Sequence, residues 1–436
     1  MSTTFKRSTY HLDKENSKKS EEYFQDIENL FGKDWLCRDE GHRLQILWSR
    51  KDHLATTELF GLGFAINKLK DRHRNWLIGL ANNIKKQPTN AHGFLAELIV
   101  CSLFLSDDAV VRPAKKNSPG YDLEIEFDGG FKYLYSIKNH DISQHEKEFQ
   151  IKCSEIKSAF SNRMQKIKTH GALRIFSEKS LSEEEFDRII HFVKNHLKKK
   201  QQYSYLNGAV KIFFVELDEI ESPFATNHFS SEVIVIGRHH RNEKKNQIDR
   251  LIKAVENMRK HIPESEEHFR WLWMRVHSSA DLPSLKNTAE KLLTSDKRVG
   301  FDGVIFIQPS VVRNGDSSQI HTVFDFAART DHQGLAKSAM RGKLFMKLEF
   351  PVGSFSQTAP ELILQTAKGP IEISNENYVY QRTDYYVKAR VTSDGWIGGM
   401  NSPASGVQFH SVVELENQSN FIFQGLYPES EELLFL

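Results

Sequence analysis

Three short stretches carry the residues whose types and spacing could do chemistry. Residues 91–98 read Ala-His-Gly-Phe-Leu-Ala-Glu-Leu and open an apolar run that ends near Leu105. Residues 119–126 read Pro-Gly-Tyr-Asp-Leu-Glu-Ile-Glu, and residues 133–140 read Tyr-Leu-Tyr-Ser-Ile-Lys-Asn-His. Glu97, Asp122 and Lys138 are the groups that metal-assisted phosphodiester hydrolysis requires. Hard carboxylate oxygens hold Mg²⁺ or Mn²⁺, the ion lowers the pKa of a bound water, and a lysine orients that water or balances developing negative charge.

One helix and two strands must position these groups. Ala96, Ile99, Val100, Leu103 and Phe104 recur at helical spacing after Thr89 or Asn90, either of which can cap, so Glu97 falls in the first turns of a largely buried helix. Residues 122–127 alternate, with Leu123, Ile125 and Phe127 on one face and Asp122, Glu124 and Glu126 on the other. Asp128-Gly129-Gly130 is a hairpin turn signal, and Phe131 to Ile137 returns antiparallel. Pairing through that turn carries Asp122 toward Lys138. As a structural alternative, Asp122 and Glu124 are solvated strand residues and Lys138 an edge lysine.

The arrangement resembles the PD-(D/E)xK nuclease superfamily, with its helix glutamate, Pro-Asp or similar dipeptide, and (Asp/Glu)-x-Lys on the next strand. The resemblance assigns Glu97, Asp122 and Lys138 as catalytic, with Glu97 and Asp122 on the metal. It implies a restriction-endonuclease-like α/β core of αβββαβ order. This sequence departs from the pattern twice: Gly-Tyr precedes Asp122, and Ser136 stands where the second strand carboxylate belongs. Members of the superfamily relocate that acid onto the helix, which makes Glu97 the preferred substitute, with Glu124 as competitor. Ser136 and His140 are accessory candidates.

The 436 residues suffice for two or three domains, and 39% hydrophobic with 27% charged content is ordinary for a soluble protein. A net charge of +2 leaves nucleic-acid affinity to local patches. Residues 138–200 hold 14 Lys plus Arg against 9 Asp plus Glu, and 238–260 hold 8 against 3. Lys152, Arg163, Lys166, Arg238 and Arg241 are the expected phosphate contacts. Cys37, Cys101 and Cys153 have no close spacing, which argues against a disulfide framework and for a cytoplasmic protein. No apolar run is long enough to span a bilayer, so no membrane partner is expected.

In chain order, residues 1–20 read as a flexible arm, 21–86 as a helical cap and 87–220 as the nuclease-like core. Residues 221–320 form a second α/β segment, and 340–436 a β-rich C-terminal domain where the period changes to two. The last core strand is either Ala172–Ser177 or, by preference, Val210–Leu217. The function expected is metal-dependent cleavage of nucleic acid, DNA before RNA, in the manner of restriction or phage-defence effectors. The alternative is a catalytically inactive nuclease-fold protein that binds nucleic acid or a protein partner through its β-rich domain. A protein partner or self-association is compatible with either.

Overall fold

Strands buried on one or both faces and helices of 3.6-residue periodicity build a three-layer α/β arrangement in a computed structural model. The structure describes residues 7, 9, 12–50, 53–105, 109–114, 120–127, 131–169, 171–197, 202–205, 208–216, 231–295, 300–314, 317–329, 350–351, 353–356, 362–366, 369–373, 376–383, 387–391, 396–401, 410–415 and 418–423. The Asp128–Gly130 turn and the Leu344–Leu348 alternation lie outside them.

The N-terminal layer is helical: α1 (Lys14–Phe31), α2 (Lys33–Leu36), α3 (Arg43–Ser49), α4 (His53–Leu69), α5 (Arg74–Lys86) and α6 (Ala91–Leu103). The helix expected from residue 21 begins earlier, because Asp13 caps α1 by accepting from Asn16 N at 2.8 Å. Asn90 precedes α6 without a side-chain cap bond, in place of the cap expected from it. The sheet these helices cover includes β1 (Ala109–Pro113), β2 (Leu123–Phe127) and β3 (Lys132–His140), an antiparallel meander.

After β3 the chain leaves that sheet. The helix α7 (Gln144–Ile167), capped by Ser143 through Glu146 N, begins a separate unit. It is followed by β4 (Gly171–Ser177), α8 (Glu183–Asn195), β5 (Gln202–Tyr205), β6 (Val210–Glu216) and β7 (Ser231–Arg238). These strands, joined by β14 (Asn377–Thr383), form a five-stranded sheet of order β14-β7-β4-β6-β5 with its own core around Phe160, Ile189 and Phe214. Neither candidate for the last core strand therefore lies in the sheet of β3. That place is taken by β8 (His268–Val276), which runs parallel to β3 after the crossover helix α9 (Glu243–His261). The order helix, three strands, helix, strand is present, but some hundred residues stand between its third strand and its last helix. Local periodicity cannot reveal such an insertion, since each inserted element is itself well formed.

The larger sheet continues through α10 (Leu282–Leu293), β9 (Gly303–Asn314) and β10 (Ser317–Ala328) to β11 (Ser354–Ser356), giving the order β1-β2-β3-β8-β9-β10-β11. It is buried on both faces. Tyr133, Tyr135, Ile137, Trp271 and Trp273 pack against the N-terminal helices in one continuous core. Leu134, Leu272 and Met274 pack against α9 and α10 in another. Each large side chain buried this way contributes about 1.5–3 kcal/mol. The cap is thus a layer of the sheet's own core.

The C-terminal strands divide. The hairpin β12 (Leu362–Thr366) and β13 (Gly369–Ile373) pairs only with itself, and β15 (Val387–Val391), β16 (Trp396–Asn401), β17 (His410–Leu415) and β18 (Gln418–Phe423) form an antiparallel four-stranded sheet. Trp396–Gly399 belongs to β16. Strands β11 and β14 are shared with the two earlier sheets, so the stretch after residue 340 is not one separate unit.

Candidate functional site

Asp122 lies in the bend before β2, and its backbone N donates to Tyr135 O at 2.7 Å, which sets the start of the strand against the end of β3. Gly120 makes this approach feasible. Its φ of +94° is left-handed, and a Cβ there would stand 2.6 Å from His261 Cβ at the end of α9. The Asp122 carboxylate accepts from Ile137 N at 2.6 Å and lies 3.5 Å from both Lys138 Nζ and Ser136 Oγ. Lys138 Nζ also donates to the Ile137 carbonyl at 3.2 Å.

Glu97 faces this group from α6. It is half-buried, and among the described residues it has no hydrogen bond or ion pair. Burial and then the Asp122 charge push its pKa up to about 8, with Lys138 opposing. Asp122 and Lys138, which sequence reading brings together, lie 3.5 Å apart, and both charges act on Glu97. Ser136 is 1% exposed, and among the described residues its hydroxyl reaches only Asp122.

Glu124 does not join them. Its carboxylate is held by Arg112 at 3.0 Å and faces Lys132 at 3.5 Å, a partly exposed cluster that Glu126 completes. The alternation of β2 explains this, because residues 122 and 124 share a face yet sit one full repeat apart along it. His140 continues the strand from Lys138. Burial, with the charges of Arg250 and Lys138, lowers its pKa to about 4, so its imidazole is neutral near pH 7.

The expected phosphate contacts stand elsewhere. Lys152, Arg163 and Lys166 are on α7 and Arg238 ends β7, elements of the five-stranded sheet. Lys152 is within 4 Å of Glu155, Glu183 and Asp187, and Arg238 is paired with Glu376. Arg163 donates to the Leu197 carbonyl at 3.3 Å, whereas Lys166 and Arg241 are exposed.

Two polar clusters beside the site had no sequence signal, because their members come from distant segments. In one, Arg43 Nη1 bonds both Asp141 Oδ2 and His92 Nδ1 at 3.0 Å. Burial works against the Asp141 charge, but the His92 bond and Arg43 outweigh it and hold the carboxyl well below its usual range. Buried Arg275 joins them, donating to Asn139 Oδ1 at 3.1 Å. In the other, a small, partly open pocket is lined by His140, Glu146, Glu243, Arg250 and His277 among others. Glu243 accepts from Ser143 Oγ at 2.6 Å and from the Tyr378 hydroxyl. Glu146 faces His277 Nδ1 at 3.5 Å, and burial pushes its pKa up to about 8 while lowering His277 to about 3, so both are uncharged at neutral pH.

Among the described residues no three His, Cys, Asp or Glu side chains form a ready-made metal cluster. The donor set at Glu97 and Asp122 still suits a hard divalent ion. The Asp122 charge acts on Glu97, which among the described residues accepts no hydrogen bond, and the energetic penalty on the Glu97 charge is of the kind a cation removes. Among the described residues no helix is long and apolar enough to cross a membrane. In comparisons with protein-family models, curated proteins and solved structures, nothing matches this chain.

Proposed function

We propose that the chain is a metal-dependent nuclease that hydrolyses phosphodiester bonds, with a restriction-endonuclease-like core formed by α6, β1–β3, α9 and β8. The observation that carries this reading is the Asp122–Lys138 contact at 3.5 Å with the unpartnered Glu97 carboxyl facing it. Glu97 and Asp122 would hold Mg²⁺ or Mn²⁺, which supplies Lewis acidity and an activated water. Asp122 is fixed by Ile137 N, so its oxygen is oriented before any ligand arrives. Lys138 stands beside that carboxylate as a fixed positive charge for the phosphate in the transition state. Action on DNA before RNA, a cytoplasmic location and a role in restriction or phage defence belong to the same proposal.

Ser136 favours a second reading, since it replaces a carboxylate and leaves two acids at the site. On that reading the fold binds nucleic acid or a protein partner without cleaving, through the C-terminal strands. Cleavage of plasmid and oligonucleotide substrates with Mg²⁺ or Mn²⁺ separates the two. Asp122→Ala and Lys138→Ala should each lose activity by at least about two orders of magnitude, with nucleic-acid affinity nearly unchanged for Lys138→Ala. A wild-type chain inactive with either metal on every substrate rejects the nuclease reading.

A further inference from the structure

The crossover helix α9 carries a row of side chains that the site does not use. Asn246, Arg250, Lys253, Asn257 and Lys260 follow one another at alternating steps of four and three, so they share one helix face, and all five are exposed. The opposite face, with Leu251, Ala254, Val255 and Met258, is buried against β3 and β8. No acid falls in the row. Asp249 and Glu256 lie on neighbouring rows, and among the described residues no carboxylate comes within 4.0 Å of Arg250, Lys253 or Lys260. This distinguishes the row from Lys152, Arg238 and Lys244, each of which has acid partners.

The row also has a direction. Arg250 Nη1 lies 3.5 Å from the Asp141 carbonyl, just past the end of β3, and its charge acts on His140 together with that of Lys138. From there Lys253 and Lys260 lead away along the helix, covering roughly 15 Å at about 1.5 Å per residue. That length matches about four phosphates of one strand in a duplex. The asparagines between the cations offer uncharged donors and acceptors, as backbone-positioning contacts do.

We propose that this row is the surface on which a nucleic-acid backbone lies, with Arg250 handing the strand to the Lys138 end of β3. The partner is recognised by its phosphates and not by base sequence. The inference rests on the reading of Glu97, Asp122 and Lys138 as a phosphodiester site and adds the path by which the polymer reaches it.

The test measures binding of a labelled DNA duplex to the full chain in EDTA, across a range of salt concentrations, so that no catalysis is needed. The triple variant Arg250→Gln, Lys253→Gln, Lys260→Gln is compared with wild type and with a control triple, Lys14→Gln, Lys18→Gln, Lys33→Gln, at exposed positions on the N-terminal helices. Removing three phosphate contacts should make the slope of log affinity against log salt shallower by about two to three, and weaken low-salt binding by about tenfold or more. The control should keep the wild-type slope, and both variants the wild-type melting temperature. An unchanged slope in the α9 triple, an equal loss in the control, or a wild-type chain that does not bind duplex overturns the proposal. Loss of binding in a chain that never cleaves would leave the surface standing while rejecting the hydrolytic reading. Normal cleavage with an unchanged slope would do the reverse.

Discussion

On the proposed nuclease reading, Glu97 is the residue on which the chemistry turns. A half-buried carboxyl beside a second carboxylate is costly to ionise, and its pKa near 8 expresses that cost. If it replaces the acid missing at position 136, Glu97→Gln should lose metal-dependent cleavage by about a hundredfold or more while folding about as stably, because the amide matches the shape of the largely protonated acid and, like it, carries no charge. Ser136→Ala should retain most activity, since among the described residues its hydroxyl reaches only Asp122, at 3.5 Å. Cleavage rates and the Mg²⁺-induced shift in melting temperature check both. A fully active Glu97→Gln would remove the helix acid from the site.

At the scale of elements, the first turns of α7 and α9 meet the loop between β8 and α10 around Glu146. Its neighbours are Ser279 and His277 from that loop, Glu243 from α9 and Asp141 from the end of β3. Burial raises the folded pKa to about 8, against roughly 4.3 in an unfolded chain. Between those values the folded state keeps a proton that the unfolded state has released, so this group's contribution to stability falls as pH rises from about 4.3 through about 8. His277, lowered to about 3, acts with the opposite sign, but its window closes near 6.5. Above pH 7 the His277 effect is gone, and Glu97, also raised to about 8, acts in the same direction as Glu146, so the single variant isolates the Glu146 part. Denaturant unfolding at pH 7 and 9 should show wild type losing stability over that interval and Glu146→Gln losing less. Equal slopes would show that Glu146 is already ionised when folded.

At the scale of the whole molecule, the five-stranded sheet is tied to the seven-stranded one through Tyr378 on β14. Its hydroxyl donates to Glu243 at the start of α9, and burial together with that carboxylate holds its pKa far above the usual tyrosine range. The carboxylate also accepts from Ser143, so one side chain links the last residue before α7, the crossover helix and a strand contributed from far down the chain. Tyr378→Phe leaves Glu243 one donor short and should cost about 1–3 kcal/mol. A lower melting temperature with Asp122 and Lys138 chemistry intact is the expected outcome. An unchanged melting temperature would show that the hydroxyl contributes nothing to the junction.

Much of this was legible in the residue order. The alternation of Leu123, Ile125 and Phe127 fixed which face of β2 is buried, Ser143 with Glu146 marked the start of α7, and residues 243–261 carry their helical period in full. The nearness of Asp122 to Lys138 also followed from sequence, because a hairpin of short span is a local event. What only the tertiary structure decided is which strand completes the sheet and which charges are spent. The choice of β8 over β4 or β6 depends on packing between segments more than a hundred residues apart, where no local pattern carries information. Whether Lys152 or Arg250 is available to a phosphate depends on carboxylates contributed by other elements, and their distances exist only once the chain has folded.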